Sequence, residues 1–224
     1  ITPVVKALAG YDELIRDIAA LGFSRIGDSS LLHIRNYADI SAEKWLLRSP
    51  MVCEIPQLLA LTDGALISEE RLLRELEAEA KQQGKEYKVI LMAELGDLRE
   101  GCDQQELIRL SVVAESLPHV HLEGIGANLS CYGNILPGQQ NMAAMAAMTA
   151  AVEEALGRKL AVVSGGNSSS LKMLASGQLP AAVNDLRCGE SILLGMIPCY
   201  DVPAAWLQQG AFTVETEIIE IKTK

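Results

Sequence analysis

Four short stretches of this sequence pair a residue type able to do chemistry with glycines or small side chains that let a ligand come close. They are VVKALAG around Lys6, ELGDLREG from Glu94 through Arg99, SGGNSSSL with Asn167 to Ser170, and NDLRCGES with Arg187 to Gly189. Lys6 lies within an apolar run between Val5 and Ala7, where an ammonium is costly to bury uncompensated. Desolvation lowers a lysine pKa, and the resulting neutral amine suits imine formation with an aldehyde. Taken alone, the same residue reads more simply as an exposed lysine at a strand end. In SGGNSSSL, two glycines let the chain turn tightly before a helical stretch. Free amides, hydroxyls and the positive helix end then form a cradle able to hold a phosphate without any basic side chain. An ordinary capped loop is the alternative, although three consecutive serines exceed what a cap requires. In LRCGES, Gly189 would bring another amide to the same anion. Arg187 would point at the ligand or form a structural salt bridge with Asp185 or Glu94.

Residues so far apart in the chain meet only if the fold collects them. Short apolar runs alternate with amphipathic stretches, a pattern of βαβ units with a parallel sheet. Strands are expected near 3–8, 25–28, 45–48, 64–67, 88–94, 120–128, 160–164 and 184–187. Helices are expected at 11–21, 55–61, 69–83, 105–116, 139–156 and 169–175. Eight strands with intervening helices favour an α/β fold closed as a parallel (β/α)8 TIM-type barrel, whose site lies at the C-terminal ends of the strands. An open doubly wound sheet is the alternative, although the Gly-x-Gly-x-x-Gly fingerprint of its dinucleotide-binding version is missing after the first strand. Met142, Met145 and Met148 recur at helical spacing and read as a packed helix face. The charges of 69–85 interleave as a solvated, ion-paired face. Residues 1–210 would complete the barrel. Residues 211–224, alternating apolar and polar over 212–222, would be a strand leading into a mostly absent C-terminal β-domain. Because Ile1 opens directly in an apolar strand, the chain is expected to be a fragment of something longer.

Composition narrows the partners. A formal charge of −10 without clustered Lys and Arg argues against a nucleic-acid surface. No apolar run approaches the roughly 20 residues of a membrane-spanning helix. Five cysteines, odd in number and without a CxxC pair, indicate neither a disulfide framework nor a zinc site and fit a reducing cytoplasm.

The order and spacing of VVKALAGYDELI, IGDSSLLHI, LLRSPM, KVILMAELGDLREG, LEGIGANLSCYG, SGGNSSSL, NDLRCGESILLG and EIIEIK resemble the alanine-racemase-like barrel of fold-type III pyridoxal-phosphate enzymes, and within it the ornithine-racemase-like branch. The resemblance runs through essentially the whole chain. It implies pyridoxal 5'-phosphate as cofactor, with Lys6 as the Schiff-base lysine and the base for one face of the substrate. Ser168, with Asn167 alongside and the amides of Gly189 and Glu190, would hold the phosphate. Arg187 would pair with the pyridine nitrogen and keep it unprotonated. Arg99 would approach the phenolic oxygen and the substrate carboxylate. Three positions depart from the pattern. Asn128 stands where alanine racemases have a histidine near the ring, Met92 where some carry a modified lysine that anchors the arginine, and Ser30 where the ornithine branch would have a basic residue.

The activity so implied is racemisation of an amino acid, here a basic one such as ornithine or lysine, in a homodimer whose partner supplies the second acid–base group. Two rivals share the scaffold. One is a non-catalytic pyridoxal-phosphate carrier, against which the terminal EIIEIK argues. The other is a D-threonine aldolase or D-serine dehydratase, which use a metal. Only His33, His119 and His121 are available for one, and no metal is expected.

Overall fold

The computed structural model describes residues 1–131, 135–213 and 215–223. The strands are β1 (Thr2–Pro3), β2 (Arg25–Asp28), β3 (Glu43–Leu46), β4 (Gly64–Ile67), β5 (Tyr87–Ala93), β6 (Val120–Ala127), β7 (Val162–Asn167) and β8 (Asp185–Cys188). They are hydrogen-bonded in the order β1-β8-β7-β6-β5-β4-β3-β2, every pair parallel. A single bridge, Val4 to Gly27, with Val5 N donating to the Gly27 carbonyl at 2.9 Å, joins β1 to β2 and brings the ring round on itself. A helix follows each strand: α1 (Asp12–Ala20), α2 (Leu31–Ile34), α3 (Ile55–Leu61), α4 (Glu70–Gln83), α5 (Gln104–Glu115), α6 (Gln139–Leu156), α7 (Leu171–Ala175) and α8 (Glu190–Leu194). This is the (β/α)8 barrel expected from the alternating periodicities.

Period-two alternation along the strands divides the apolar side chains between two cores. The larger lies between strands and helices, and includes Ile15, Leu58, Leu73, Leu76, Leu107, Leu110 and Met145. The smaller fills the barrel's interior with Trp45, Leu66, Ile90, Met92 and Val162. Met142 and Met145 are buried and Met148 packs against the outer core, as a helix face should. The α4 surface carries the expected ion pairs, among them Arg74 with Glu70 and Arg71 with Glu75.

Several boundaries differ from expectation. The first strand stops at Pro3, and Lys6–Leu8 form a 3-10 turn closed by Ala9 in the left-handed region. Strand three begins at Glu43, whose N–H donates to the Ser24 carbonyl at 2.9 Å and which lies in register with Arg25 of β2. It ends at Leu46, and Arg48 turns away to grip Glu54 at 2.7 and 2.8 Å. Strand seven runs on to Asn167 through both glycines. Helices α2 and α8, each of four or five residues, were too short to show a period. After α8 a small antiparallel sheet pairs β9 (Met196–Ile197) with β10 (Val202–Pro203). The described residues of 211–224 pair with no strand, and Ile218, Ile219 and Ile221 are largely exposed, as an alternating segment is when no partner sheet lies beside it.

Candidate active site

At the C-terminal ends of the strands opens a cavity of about 540 Å³. Lys6, Arg99, Asn128, Asn167, Ser168, Arg187, Gly189 and Glu190 all line it. The eight residues singled out in the sequence therefore converge on one place, although they come from the ends of β1, β5, β6, β7 and β8. Val4, Leu47, Leu66, Ser130, Cys131, Ser169, Pro198 and Cys199 complete the wall.

Lys6 corrects one expectation. It is exposed, held by the 3-10 turn rather than embedded in a strand, and so is not desolvated by its own run of neighbours. Its placement over the cavity comes from the Val4 and Val5 contacts to Cys188 and Gly27, which fix the chain one residue earlier.

Arg187 is the opposite case. Its guanidinium is buried, and burial pushes it below the ordinary arginine value. One terminal nitrogen donates to Ser164 Oγ at 2.6 Å, the other to the Ala127 carbonyl at 2.7 Å and to Asn128 Oδ1 at 3.2 Å. Gly126 leaves the room, since a Cβ there would lie 3.0 Å from the guanidinium. The salt bridge considered from sequence is absent among the described residues. Asp185 reaches Arg187 only through Ser164, whose hydroxyl donates to Asp185 Oδ2 at 2.7 Å. Glu94 instead accepts from the amides of Gly96 and Leu98 and shapes its own loop. A guanidinium has five N–H donors, so these three bonds leave two without a hydrogen-bond partner among the described residues.

The serine-rich turn builds the cradle. Asn167, last residue of β7, caps the turn by accepting from Ser169 N at 2.9 Å and Ser169 Oγ at 2.6 Å, and its own amide nitrogen donates to the Leu129 carbonyl at 2.7 Å. Ser168 Oγ accepts from Gly189 N and Ser191 N, both at 3.2 Å, knitting the ends of β7 and β8 together. The Ser191 hydroxyl beside them is buried without a hydrogen-bond partner among the described residues. At Gly189 a Cβ would sit 2.8 Å from the Val4 carbonyl, so only glycine lets the two strand ends meet under the cradle.

The departures from the family pattern also find places. Met92 is buried in the inner core, and Arg99 has Glu100 as its ion-pair partner at 3.3 Å. Asn128 bridges Glu100 and Arg187. Ser30 lies away from the cavity wall and accepts from His33 N as the cap of α2. His119 and His121 sit at the opposite end of the barrel, against Glu77 and Glu86. Burial pushes the Cys188 and Cys102 thiols up to about 12, which keeps them protonated near neutrality. Glu100, Ser164 and Cys131 were overlooked in the sequence. All three sat inside quoted motifs, Ser164 directly before the glycine pair, but nothing local said that they would meet Arg187, Asn128 or the cavity. Tyr132 and Gly133 of the LEGIGANLSCYG motif lie outside the described residues.

Comparisons with known proteins give a family and a fold. The alanine racemase N-terminal domain family matches residues 1–196. An ornithine racemase of Acetoanaerobium sticklandii is 32% identical over 222 residues, covering 99% of this chain and 63% of its own length. A lysine racemase of Thermotoga maritima is 28% identical over 226 residues, covering 100% of this chain and 63% of its own length. Among solved structures, an alanine racemase of Clostridium difficile 630 superposes with a TM-score of 0.74 at 17% identity, over 93% of this chain and 55% of that one. PipY of Synechococcus elongatus, solved with PLP bound, gives 0.68 at 20% identity over 84% of this chain and 89% of that one. This chain thus spans under two thirds of the length of the two curated racemases. With a family match running from the first strand through the last barrel helix, the chain belongs to the alanine racemase N-terminal domain family.

Proposed function

We propose that this chain is the cofactor-binding barrel of a pyridoxal 5'-phosphate-dependent racemase acting on a basic amino acid such as ornithine or lysine. The observation that carries this is the convergence of an exposed amine, a buried guanidinium with unused donors and a serine-glycine cradle on one cavity. The residues fit the group. Lys6 supplies the amine for its aldehyde. Ser168, Asn167 and the amides of Gly189 and Glu190 hold the phosphate, and the unpartnered Ser191 hydroxyl is a further donor beside them. Arg187 keeps two N–H donors for the ring nitrogen, and Arg99 serves the phenolic oxygen and the substrate carboxylate. The 32% identity to an ornithine racemase and the 28% identity to a lysine racemase support the choice of a basic substrate.

When bound, the cofactor delocalises the electron pair left on Cα once its proton departs. Inversion needs that proton removed on one face and returned on the other, hence two acid–base groups. Lys6 Nζ serves one face. Arg187, a permanent cation, would donate to a ring nitrogen without giving up its proton, which would limit how strongly the ring withdraws electrons. The second group comes from a β-domain of the partner subunit in a cytoplasmic homodimer, with 1–210 forming the barrel and 211–224 leading into that domain. Residues 1–224 alone should then bind cofactor and racemise poorly.

The test is spectroscopic and then chemical. Cofactor-soaked protein should show a visible absorption band that borohydride removes, with mass spectrometry placing the label on Lys6. A protein that stays colourless and unlabelled would falsify the assignment. That the chain spans 89% of PipY favours a second reading, a non-catalytic cofactor carrier. Full-length protein incubated with single L- and D-amino acids separates the two. Inversion without carbonyl release supports the racemase, carbonyl release a lyase, and bound cofactor with neither signal the carrier.

A further inference from the structure

Arg187 is a buried cation with no carboxylate in direct contact among the described residues, yet isolated charges are not left in protein interiors. Two carboxylates answer it, each at one remove. Asp185 does so from within the barrel wall through the Ser164 hydroxyl. Glu100 does so from the loop after β5 through the Asn128 amide. Its Oε1 accepts from Asn128 Nδ2 at 3.0 Å, while Asn128 Oδ1 accepts from Arg187 at 3.2 Å. An amide can present either end to a neighbour. Here an acceptor-only carboxylate stands on one side and a donor-only guanidinium on the other. Only one orientation satisfies both.

We propose that Glu100 is a positioning residue that locks the Asn128 amide with its oxygen toward Arg187, and so holds the guanidinium with two donors free for the cavity. The same Oε1 pairs with Arg99 at 3.3 Å, so one carboxylate restrains both cavity arginines. The backbone is built to deliver it. Beyond β5 the chain doubles back until Cys102 N donates to the Met92 carbonyl and Glu94 N to that of Cys102, both at 3.0 Å. Gly101 makes the return possible, with φ +151° and the position of its missing Cβ only 2.8 Å from the Ala93 carbonyl carbon. The loop thereby sets Glu100 beside β6, where Asn128 follows the last strand residue.

This inference rests on the assignment of Arg187 to the cofactor ring for its consequence but not for its geometry, so two measurements are made. In the cofactor-free chain, the Asn128 side-chain amide signals are followed by NMR in the parent, Glu100→Gln and Glu100→Ala. Glu100→Gln, which keeps an acceptor oxygen, should leave them near their parent position, and Glu100→Ala should move them to solvent-like shifts. In the second measurement, cofactor affinity is titrated for Glu100→Ala, Asn128→Ala and the double variant. Losing one charge-assisted bond should weaken binding about tenfold, and the double variant should lose less than the product of the two single effects, because Glu100 reaches Arg187 only through that amide and its contact with Arg99 accounts for the remainder. Unmoved amide signals in Glu100→Ala, or single effects that multiply in the double variant, overturn the role. A parent chain that binds no cofactor overturns the functional assignment instead, and the amide signals still decide whether Glu100 orients Asn128.

Discussion

The two ends of the barrel handle charge in opposite ways. At the floor, Arg25 and Lys88 meet Glu43 and Glu123 directly: Arg25 lies 3.8 Å from Glu123, Lys88 pairs with Glu43 and lies 3.9 Å from Glu123, and Trp45 Nε1 donates to Glu43 at 3.1 Å. Two cations are matched by two anions, and the Arg25 guanidinium covers the Trp45 ring at 5.1 Å, sealing the inner core. A one-residue slip in register between β5 and β6 places Glu123 opposite no residue of β5, at the bulge beside this cluster. At the mouth, Arg187 reaches its carboxylates only through Ser164 and Asn128, and Lys6 has no side-chain partner among the described residues. Directly paired groups have nothing left to offer a ligand. Indirectly balanced groups keep donors in reserve, and this is how one barrel makes one end a plug and the other a site.

The division is tested most severely at Lys6. Lys6→Ala should abolish the visible band and the borohydride label while leaving thermal stability within about 0.5 kcal/mol, because the residue is an exposed surface position in the cofactor-free chain. A large fall in melting temperature would show that Lys6 is structural after all. Arg187→Ala should move both properties. It strips partners from Ser164, Ala127 and Asn128 in a buried site, for a cost of about 3 kcal/mol in denaturant unfolding, and cofactor titration should fail. Gly189→Ala should lower stability by about 2 kcal/mol, since its methyl group would meet the Val4 carbonyl. Cofactor binding unchanged in that variant would argue against the cradle. Ser168→Ala should weaken cofactor binding about tenfold by equilibrium dialysis.

The smallest effect belongs to the floor. Burial works to raise the Glu43 pKa, but the Lys88 and Trp45 hydrogen bonds outweigh it and hold the carboxyl below its ordinary 4.5. Glu43 raises Lys88 above its ordinary 10.5 against a smaller opposing effect of burial. The carboxylate's contribution is therefore present above the unfolded value and lost as pH falls through the lower folded one. That of Lys88 is present below 10.5 and lost only as pH climbs through its raised folded value. Glu43→Gln should cost about 1 kcal/mol or less near neutrality, both groups being partly exposed, and converge with the parent in acid. Cofactor affinity should not change, and a shift there would break the separation of floor from mouth.

Most of the site was legible because its residues announce themselves locally. A glycine pair, a serine run and a lysine in an apolar stretch each violate the pattern of a plain strand or loop, and Lys6, Ser168, Ser169 and the single Gly189 line the cavity. The alternating periods of strand and helix determined the run of eight strand–helix units, since period two and period 3.6 are properties of one element and its own buried face. Tertiary structure alone decided the rest. That Lys6 rides a turn fixed by Val4 and Val5, that Ser164 stands between Asp185 and an arginine 23 residues from it, and that Asn128 orients toward an arginine 59 residues away are facts about neighbours from other strands. Periodicity tells which way a side chain faces. Closing the ring determines what it faces, because register and curvature bring strand ends together at distances that no single element encodes.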